Sequence, residues 1–535
     1  MGGSKLNRQF NLKNAIFVLL IFVLSLSVRL IGIDYGKPLR VHPDEKNVVH
    51  SALYYSPTQD LSQVTLNRPA QVQTLLSSIT MRLYSMLVFK TNIWHVFHLN
   101  NFTFTVVSRL IVAVLGSLIP LLAYFIGKEF EPDFSKLAAI LFAFFPSFVL
   151  HSHYATPDIP LTLWLMAVML FSIRYAKGQK EHNIWLAVFF CAMSTADKYP
   201  GIITLFMVAL AVFLRFLTKA KEDGKFNVSG FVLKGLLIFF VFIAFLFVVS
   251  PLLFFRVKDV IQALIFEATG GHLGREGLNY PRRLLKYLEY YVINAGLLIS
   301  GFTLFGIVQI IKRKQKAAWI FSFSGLFLLC IAVISFHHER WALPVYVALL
   351  ICAAYGMQSL LELVKTPVPA LRFSQVLVAS SLILLIIAGV SQSLWLNLRD
   401  TRLSAHHYLE SNQIRENQCY YDDYTPFAPN FFPIHSSQEL SRKNEMDYAI
   451  FSSYYYQRFE HLDENEHEEL GFLRKHQRES KLIWSVSAEK KPNTLAAQYR
   501  LLKYYLKSEV LKKTVPRIYT GPDLFIYQSN PQIKR

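Results

Sequence analysis

The sequence predicts a mainly α-helical, polytopic membrane bundle of about eleven spans, followed by a small C-terminal α/β domain. Three observations carry that expectation. Of 535 residues, 53% are hydrophobic and 15% aromatic. Apolar runs of about 18 residues, nearly free of charge, recur as far as Trp395, and that is the length needed to cross bilayer hydrocarbon. Beyond Trp395 the composition changes, with charged and turn residues throughout.

The first run, residues 15–33, has no small-residue cleavage site and reads as a retained anchor rather than a cleaved signal peptide. Lys5, Arg8 and Lys13 precede it, which places the N-terminus in the cytoplasm by the positive-inside rule. Further spans are expected at 103–127, 137–150, 159–175, 184–196, 201–217, 235–254, 292–311, 317–336, 341–361 and 376–395. An odd total leaves the C-terminal tail outside. The inner loops of this threading carry Arg174, Lys177 and Lys180, then Lys219, Lys221 and Lys225, then Lys312, Arg313, Lys314 and Lys316. Residues 75–89 are apolar too, but Arg82 lies in the middle, where a charge costs about 2.5–3.5 kcal/mol on insertion scales. This segment reads as an amphipathic helix at the outer interface.

The chain therefore divides into a membrane domain, 1–395, and an extracytoplasmic α/β domain, 396–535. Outer loops cover 34–102 and 255–291. In the tail, strand-like runs at 419–421, 448–452, 482–486 and 524–527 alternate with helical patterns at 403–411 and 456–476. The formal charge of +19 sits largely in short inter-span loops, so it reports topology and argues against a nucleic-acid partner. Cys191, Cys330 and Cys352 lie in apolar segments and Cys419 is alone in the tail, so neither a disulfide framework nor a zinc spacing exists.

Chemistry-bearing residues collect on the predicted outer side. Arg40-Val41-His42-Pro43-Asp44-Glu45 follows the first span. Adjacent carboxylates differ by about 100° on a helix, so one can face a site while the other makes a structural contact. A carboxylate here could take the proton from an acceptor hydroxyl, or the pair could open a loop helix behind Pro43. His151-Ser152-His153-Tyr154-Ala155-Thr156-Pro157-Asp158 joins two spans. Asp158 could cap the next helix, or hold a basic partner or a divalent cation. In Asp197-Lys198-Tyr199-Pro200-Gly201, Lys198 could pair with Asp197 or face a phosphate. His337-His338-Glu339-Arg340 interrupts two very apolar segments, and Arg340 could bind a phosphate or snorkel to lipid headgroups. The 255–291 loop adds Arg256, and Gly270-Gly271-His272-Leu273-Gly274-Arg275 reads as a flexible segment able to close over a substrate.

This constellation resembles the GT-C glycosyltransferases, the family of protein O-mannosyltransferases and lipid A aminoarabinose transferases. The matching elements are Asp44-Glu45, Asp158, Lys198-Tyr199-Pro200-Gly201 and the stretch from His337 to Pro344. The resemblance implies inverting transfer of a sugar from a polyprenyl-phosphate donor to a hydroxyl or phosphate of a lipid, glycan or protein acceptor. It implies Asp44 as base, with Glu45 beside it and Asp158 positioning the site. Lys198, His337 and Arg340 would bind the donor phosphate, with Arg256 and Arg275 as further candidates. His42, His151, His153, Tyr199 and His272 complete the candidate set. No cofactor is required on this reading, and Asp158 is the one place for a divalent cation. The expected setting is a bacterial or archaeal plasma membrane, with lipids as partners. A flippase for lipid-linked sugars predicts internal repeats and midplane polar residues, which the sequence lacks. A non-catalytic scaffold leaves the rim carboxylates unexplained.

Overall fold

The computed structural model describes residues 12–56, 58–66, 70–269, 278–315, 318–334, 337–363, 368–422, 424–426, 446–457, 468–510 and 517–529. Helix α1 (Leu12–Leu30) leads through a turn to α2 (Glu45–Tyr54), α3 (Gln71–Val88) and α4 (Ile93–Leu99). The bundle continues with α5 (Asn101–Phe130), α6 (Ser135–Phe144), α7 (Pro146–His151), α8 (Asp158–Ala176), α9 (His182–Asp197) and α10 (Leu205–Asp223). Then follow α11 (Val228–Val249), α12 (Leu252–Phe255), α13 (Val257–Thr269), α14 (Tyr280–Lys312), α15 (Ser322–Ile331), α16 (Leu343–Leu363) and α17 (Val368–Leu396).

Among the described residues, eight helices are long and apolar enough to cross a membrane, or nine if α3 and α4, bent by 82°, form one broken span. Their surfaces identify the solvent. On α11, Leu233, Phe240 and Val248 are 68%, 65% and 74% exposed. An exposed apolar face of that extent requires lipid around it. The chain is an integral membrane protein.

Three expected spans fold as shorter helices. Segment 137–150 is broken between α6 and α7 at Phe145-Pro146, because proline cannot donate the next helical hydrogen bond. Helix α9 has 16 residues, about 24 Å at 1.5 Å per residue. Segment 317–336 forms a short 3-10 turn and α15 within its described part. Segment 75–89 is helical through Val88, within α3. Ser77, Ser78 and Ser85 are buried and Leu83, Met86 and Leu87 are exposed, an inversion that suits lipid contact. The Arg82 guanidinium donates to Leu53 O at 3.1 Å and Ser78 Oγ at 3.3 Å, so its charge is held by the protein.

Helices α14 and α16 meet backbone to backbone. A Cβ on Gly306 would lie 1.8 Å from Cys352 O, and one on Gly356 would lie 2.2 Å from Phe302 O. Small residues are what allow such an approach between membrane helices. Gly306→Leu is expected to separate the pair and lower the thermal midpoint of the detergent-solubilised protein, at a cost of about 1–3 kcal/mol or more. An unchanged midpoint would contradict this packing.

Beyond α17 the chain forms β1 (Arg399–Asp400), α18 (Thr401–Ser411), β2 (Cys419–Tyr421), β3 (Tyr448–Ser452), β4 (Lys481–Val486), β5 (Tyr519–Thr520) and β6 (Leu524–Gln528). One sheet runs β2-β3-β6-β4, with β2 parallel to β3 and β6 antiparallel to both β3 and β4. Strands β1 and β5 form a separate parallel pair. The four strand-like runs of the sequence make the four-stranded sheet. The helical pattern at 456–476 is described only in part, residues 458–467 lying outside the described residues.

The tail is seated on the first loop. Tyr35, Val41, Leu150, Trp395, Leu398 and Leu501 share one apolar cluster. Trp395 Nε1 donates to Glu489 O at 2.9 Å, and Tyr505 Oη to Leu394 O at 2.9 Å. The Arg402 guanidinium is bidentate on Asp400 and also donates to Val41 O.

Candidate active site

A buried ion pair fixes the start of the first loop. Glu45 opens α2 and is 1% exposed. Its Oε1 accepts from Arg109 Nε at 2.8 Å and Ala155 N at 2.9 Å, and its Oε2 accepts from Arg109 Nη2 at 2.7 Å. Arg109 Nη1 donates to Ile33 O at 3.0 Å and Tyr35 O at 2.9 Å, and the guanidinium stands 3.7 Å over the Tyr35 ring. Both charges are therefore saturated, the condition under which a buried pair is tolerated. Glu45 thus ties the loop to α5 and to the segment before α8. Asp44, one residue earlier, is left facing the other way.

Asp44 lines a cavity of about 400 Å³ at one end of the bundle. Arg340 comes from the far side of the sequence, in the turn Glu339–Ala342, and its Nη2 lies 2.7 Å from Asp44 Oδ2. Arg340 Nε lies 3.8 Å from Asp158 Oδ2, and Lys198 Nζ donates to Asp158 Oδ1 at 2.6 Å. The order Asp44–Arg340–Asp158–Lys198 is a chain of alternating charge leading from the cavity into the bundle. Asp158 is the first residue of α8 and spends its oxygens on these cations rather than on capping its helix.

The open pairing of Lys198 resolves here: its partner is Asp158. Asp197 instead accepts from Gln73 N at 3.0 Å and Trp164 Nε1 at 2.8 Å, joining α3 to α8 and α9.

His42, His151 and His337 line the same cavity. The His42 ring packs against Tyr154, tilted by 35° at 4.6 Å, and burial holds its imidazole below the ordinary value. His337 is packed by Tyr287 and Tyr290, with ring centroids at 6.2 and 5.8 Å. Glu339 also lines it, accepting from Ser147 Oγ at 2.5 Å.

Other candidates stand elsewhere. His153 is committed to two backbone carbonyls, Nδ1 to Val149 O at 2.8 Å and Nε2 to Ile31 O at 2.9 Å. Tyr199 donates to Leu66 O at 2.6 Å. Arg256 Nη1 donates to Leu61 O at 2.9 Å and Val64 O at 2.7 Å, while its Nε bonds Asp259 at 2.6 Å. Tyr199 and Arg256 both pin the 61–66 strap, and neither reaches the cavity. Arg256, expected as a further phosphate ligand, thus bonds the strap carbonyls through Nη1 and Asp259 through its other nitrogens. His272 and Arg275, and the glycine segment around them, lie outside the described residues.

Sequence reasoning missed two sets of residues. Arg109 interrupts an apolar run, and an ionisable group there is a signal in itself. The second set comes from the tail: Arg402, Tyr424, Tyr454, Gln457 and Lys491 line the cavity. Nothing in their local sequence distinguishes them from other tail residues. Among the described residues no three His, Cys, Asp or Glu gather as metal ligands, and a cation at Asp158 would have to displace Lys198 or Arg340.

A model of the dolichyl-phosphate-mannose-protein mannosyltransferase family matches residues 19–266. No curated protein matches the chain. Among solved structures, the chain is similar to the oligosaccharyltransferase of Archaeoglobus fulgidus in the apo form, at 10% identity and a TM-score of 0.51, over 96% of this chain and 88% of that one. The same enzyme tethered to an acceptor peptide containing the NVT sequon matches at 10% identity and a TM-score of 0.51, over 97% and 89%. ArnT from Cupriavidus metallidurans bound to undecaprenyl phosphate matches at 13% identity and a TM-score of 0.45, over 75% and 73%. The resemblance read from the sequence is borne out at the level of the GT-C fold.

Proposed function

We propose that this chain, a membrane protein of the GT-C glycosyltransferase class, moves a sugar from a polyprenyl-phosphate donor to a hydroxyl or phosphate of a lipid, glycan or protein acceptor, with inversion, at the outer face of a bacterial or archaeal plasma membrane. The observation that carries this reading is the 2.7 Å contact of Asp44 with Arg340 in the wall of the cavity. It joins a general-base candidate to a phosphate-binding candidate, from opposite ends of the membrane domain, within reach of one substrate.

The arrangement suits the chemistry in balanced form. Asp44 accepts the proton as the acceptor oxygen attacks the anomeric carbon. The bond from that carbon to the phosphate oxygen breaks, and the polyprenyl phosphate leaves with the electron pair. Arg340, Lys198 and His337 offset the charge that develops on the leaving phosphate. Asp158 holds Lys198 and Arg340 in place, so their geometry is set before the donor arrives. The cavity size is in the range of small-ligand sites, and the aromatic rings of Tyr35, Tyr154, Tyr290 and Trp395 in its wall suit a sugar. No cofactor is needed, because the basic residues can do the work of a cation. Placement at the outer face rests on the basic inner loops of the sequence.

The test is transfer by the purified protein in proteoliposomes supplied with polyprenyl-phosphate mannose and extracted cell lipids and proteins, read by mass spectrometry. Labelled product is expected from the unaltered protein. Lys198→Met is expected to lower kcat/KM by about 10²-fold, the scale of losing one charge-stabilising group. Movement of the donor across the bilayer with no transferred sugar would favour a flippase instead.

A further inference from the structure

His151 is a buried polar residue in the wall of the cavity. It ends α7, is 7% exposed, and lines the cavity with Asp44 and Arg340. Among the described residues, neither of its ring nitrogens has a hydrogen-bond partner. A buried polar side chain is nearly always bonded, because leaving a donor or acceptor dry costs about 1–3 kcal/mol. His153, two residues on, has a backbone carbonyl within hydrogen-bond distance of each ring nitrogen. His151 faces the space a substrate would fill, next to the Tyr154 ring at 5.6 Å, which in turn packs against His42 beside the proposed base.

We propose that His151 is an acceptor-binding residue, hydrogen-bonding through both ring nitrogens to hydroxyl groups of the acceptor and presenting the reactive one to Asp44. The inference rests on the glycosyl-transfer reading above. Its chemistry follows from the ring's charge state. Burial, reinforced by Lys491, holds the imidazole well below its ordinary value, and the attraction of Asp158 only partly opposes this. A neutral imidazole has one donor and one acceptor. That pair matches a hydroxyl-rich ligand, since each hydroxyl both donates and accepts. A phosphate offers acceptors alone and is better served by Arg340 and Lys198. His151 thus assigns the hydroxylated acceptor to the side of the cavity that holds Asp44, His42 and Tyr154. The acceptor class it fits is a glycan or a hydroxylated headgroup, with at least two hydroxyls within reach of one ring.

The test uses the full-length protein, polyprenyl-phosphate [3H]mannose as donor, and solubilised membranes from a strain lacking the gene as the acceptor source. His151→Phe keeps the ring and removes both hydrogen-bonding nitrogens, and His151→Gln restores one donor and one acceptor. The Phe variant is expected to need about tenfold more acceptor for half-maximal rate, with the donor requirement changed less than twofold. The Gln variant is expected to return to within about threefold of the unaltered protein. Wild-type acceptor dependence in the Phe variant overturns the proposal. So does equal impairment of both variants, which would mean shape rather than hydrogen bonding, and so does a shift confined to the donor. Absence of transfer by the unaltered protein refutes the underlying reading and the proposal with it, and that failure is recognisable because it precedes any substitution.

Discussion

Asp44→Asn is expected to reduce sugar transfer by about 10³-fold or more while the protein accumulates and unfolds normally, the scale of removing a general base. Asparagine has the same shape and its carbonyl oxygen can still accept from Arg340, so the 2.7 Å contact is weakened rather than abolished. What disappears is the ability to take the acceptor's proton. Donor binding should survive, because Arg340 and Lys198 are untouched and Arg340 is released from half of its ion pairing. The measurement is initial rate with labelled donor, beside the thermal midpoint of each variant. A variant that transfers sugar at the wild-type rate removes Asp44 from the chemistry. Asp44→Glu is a useful companion, since it keeps the base and displaces it by one methylene.

The neighbouring residue predicts the opposite profile. Arg109→Leu leaves the Glu45 carboxylate buried at 1% exposure with Ala155 N as its one hydrogen-bond donor among the described residues, and strips Ile33 O and Tyr35 O of the Arg109 donor. Breaking a buried pair from one side costs about 3–5 kcal/mol. The expected result is a large fall in thermal midpoint and in the yield of folded protein. The double variant Arg109→Leu with Glu45→Leu should recover part of that stability, because the uncompensated charge is gone. Loss of activity at full stability in Arg109→Leu would contradict the structural role and move the pair into the chemistry.

The two carboxylates of Asp44-Glu45 show how far the sequence could be read. Their adjacency implies that they face different ways, and one stands in the cavity while the other is buried on Arg109. The sequence did not say which partner Glu45 would find, although Arg109 was visible as a charge inside an apolar run. The Asp197-Lys198 dipeptide was ambiguous for the same reason. Lys198 reaches Asp158, forty positions earlier, because α8 and α9 are packed side by side. Arg256 and Tyr199 looked like site residues by type and position. Tyr199 Oη and Arg256 Nη1 instead donate to carbonyls of the 61–66 strap, and only the packing of that strap decides this.

By itself, the sequence determined the class of solvent and the kind of chain that lives in it. Lipid has no hydrogen bonds to offer, so the backbone must be helical wherever an apolar run is long enough, and that requirement is written locally. It also determined which residue types gather between the spans. Tertiary structure alone decided which of them share a space: Asp44 with Arg340 and the tail's Arg402 and Lys491, and Asp158 with Lys198. Side-chain contacts between residues hundreds of positions apart depend on how helices cross and where the tail is seated, and no short stretch of sequence encodes either.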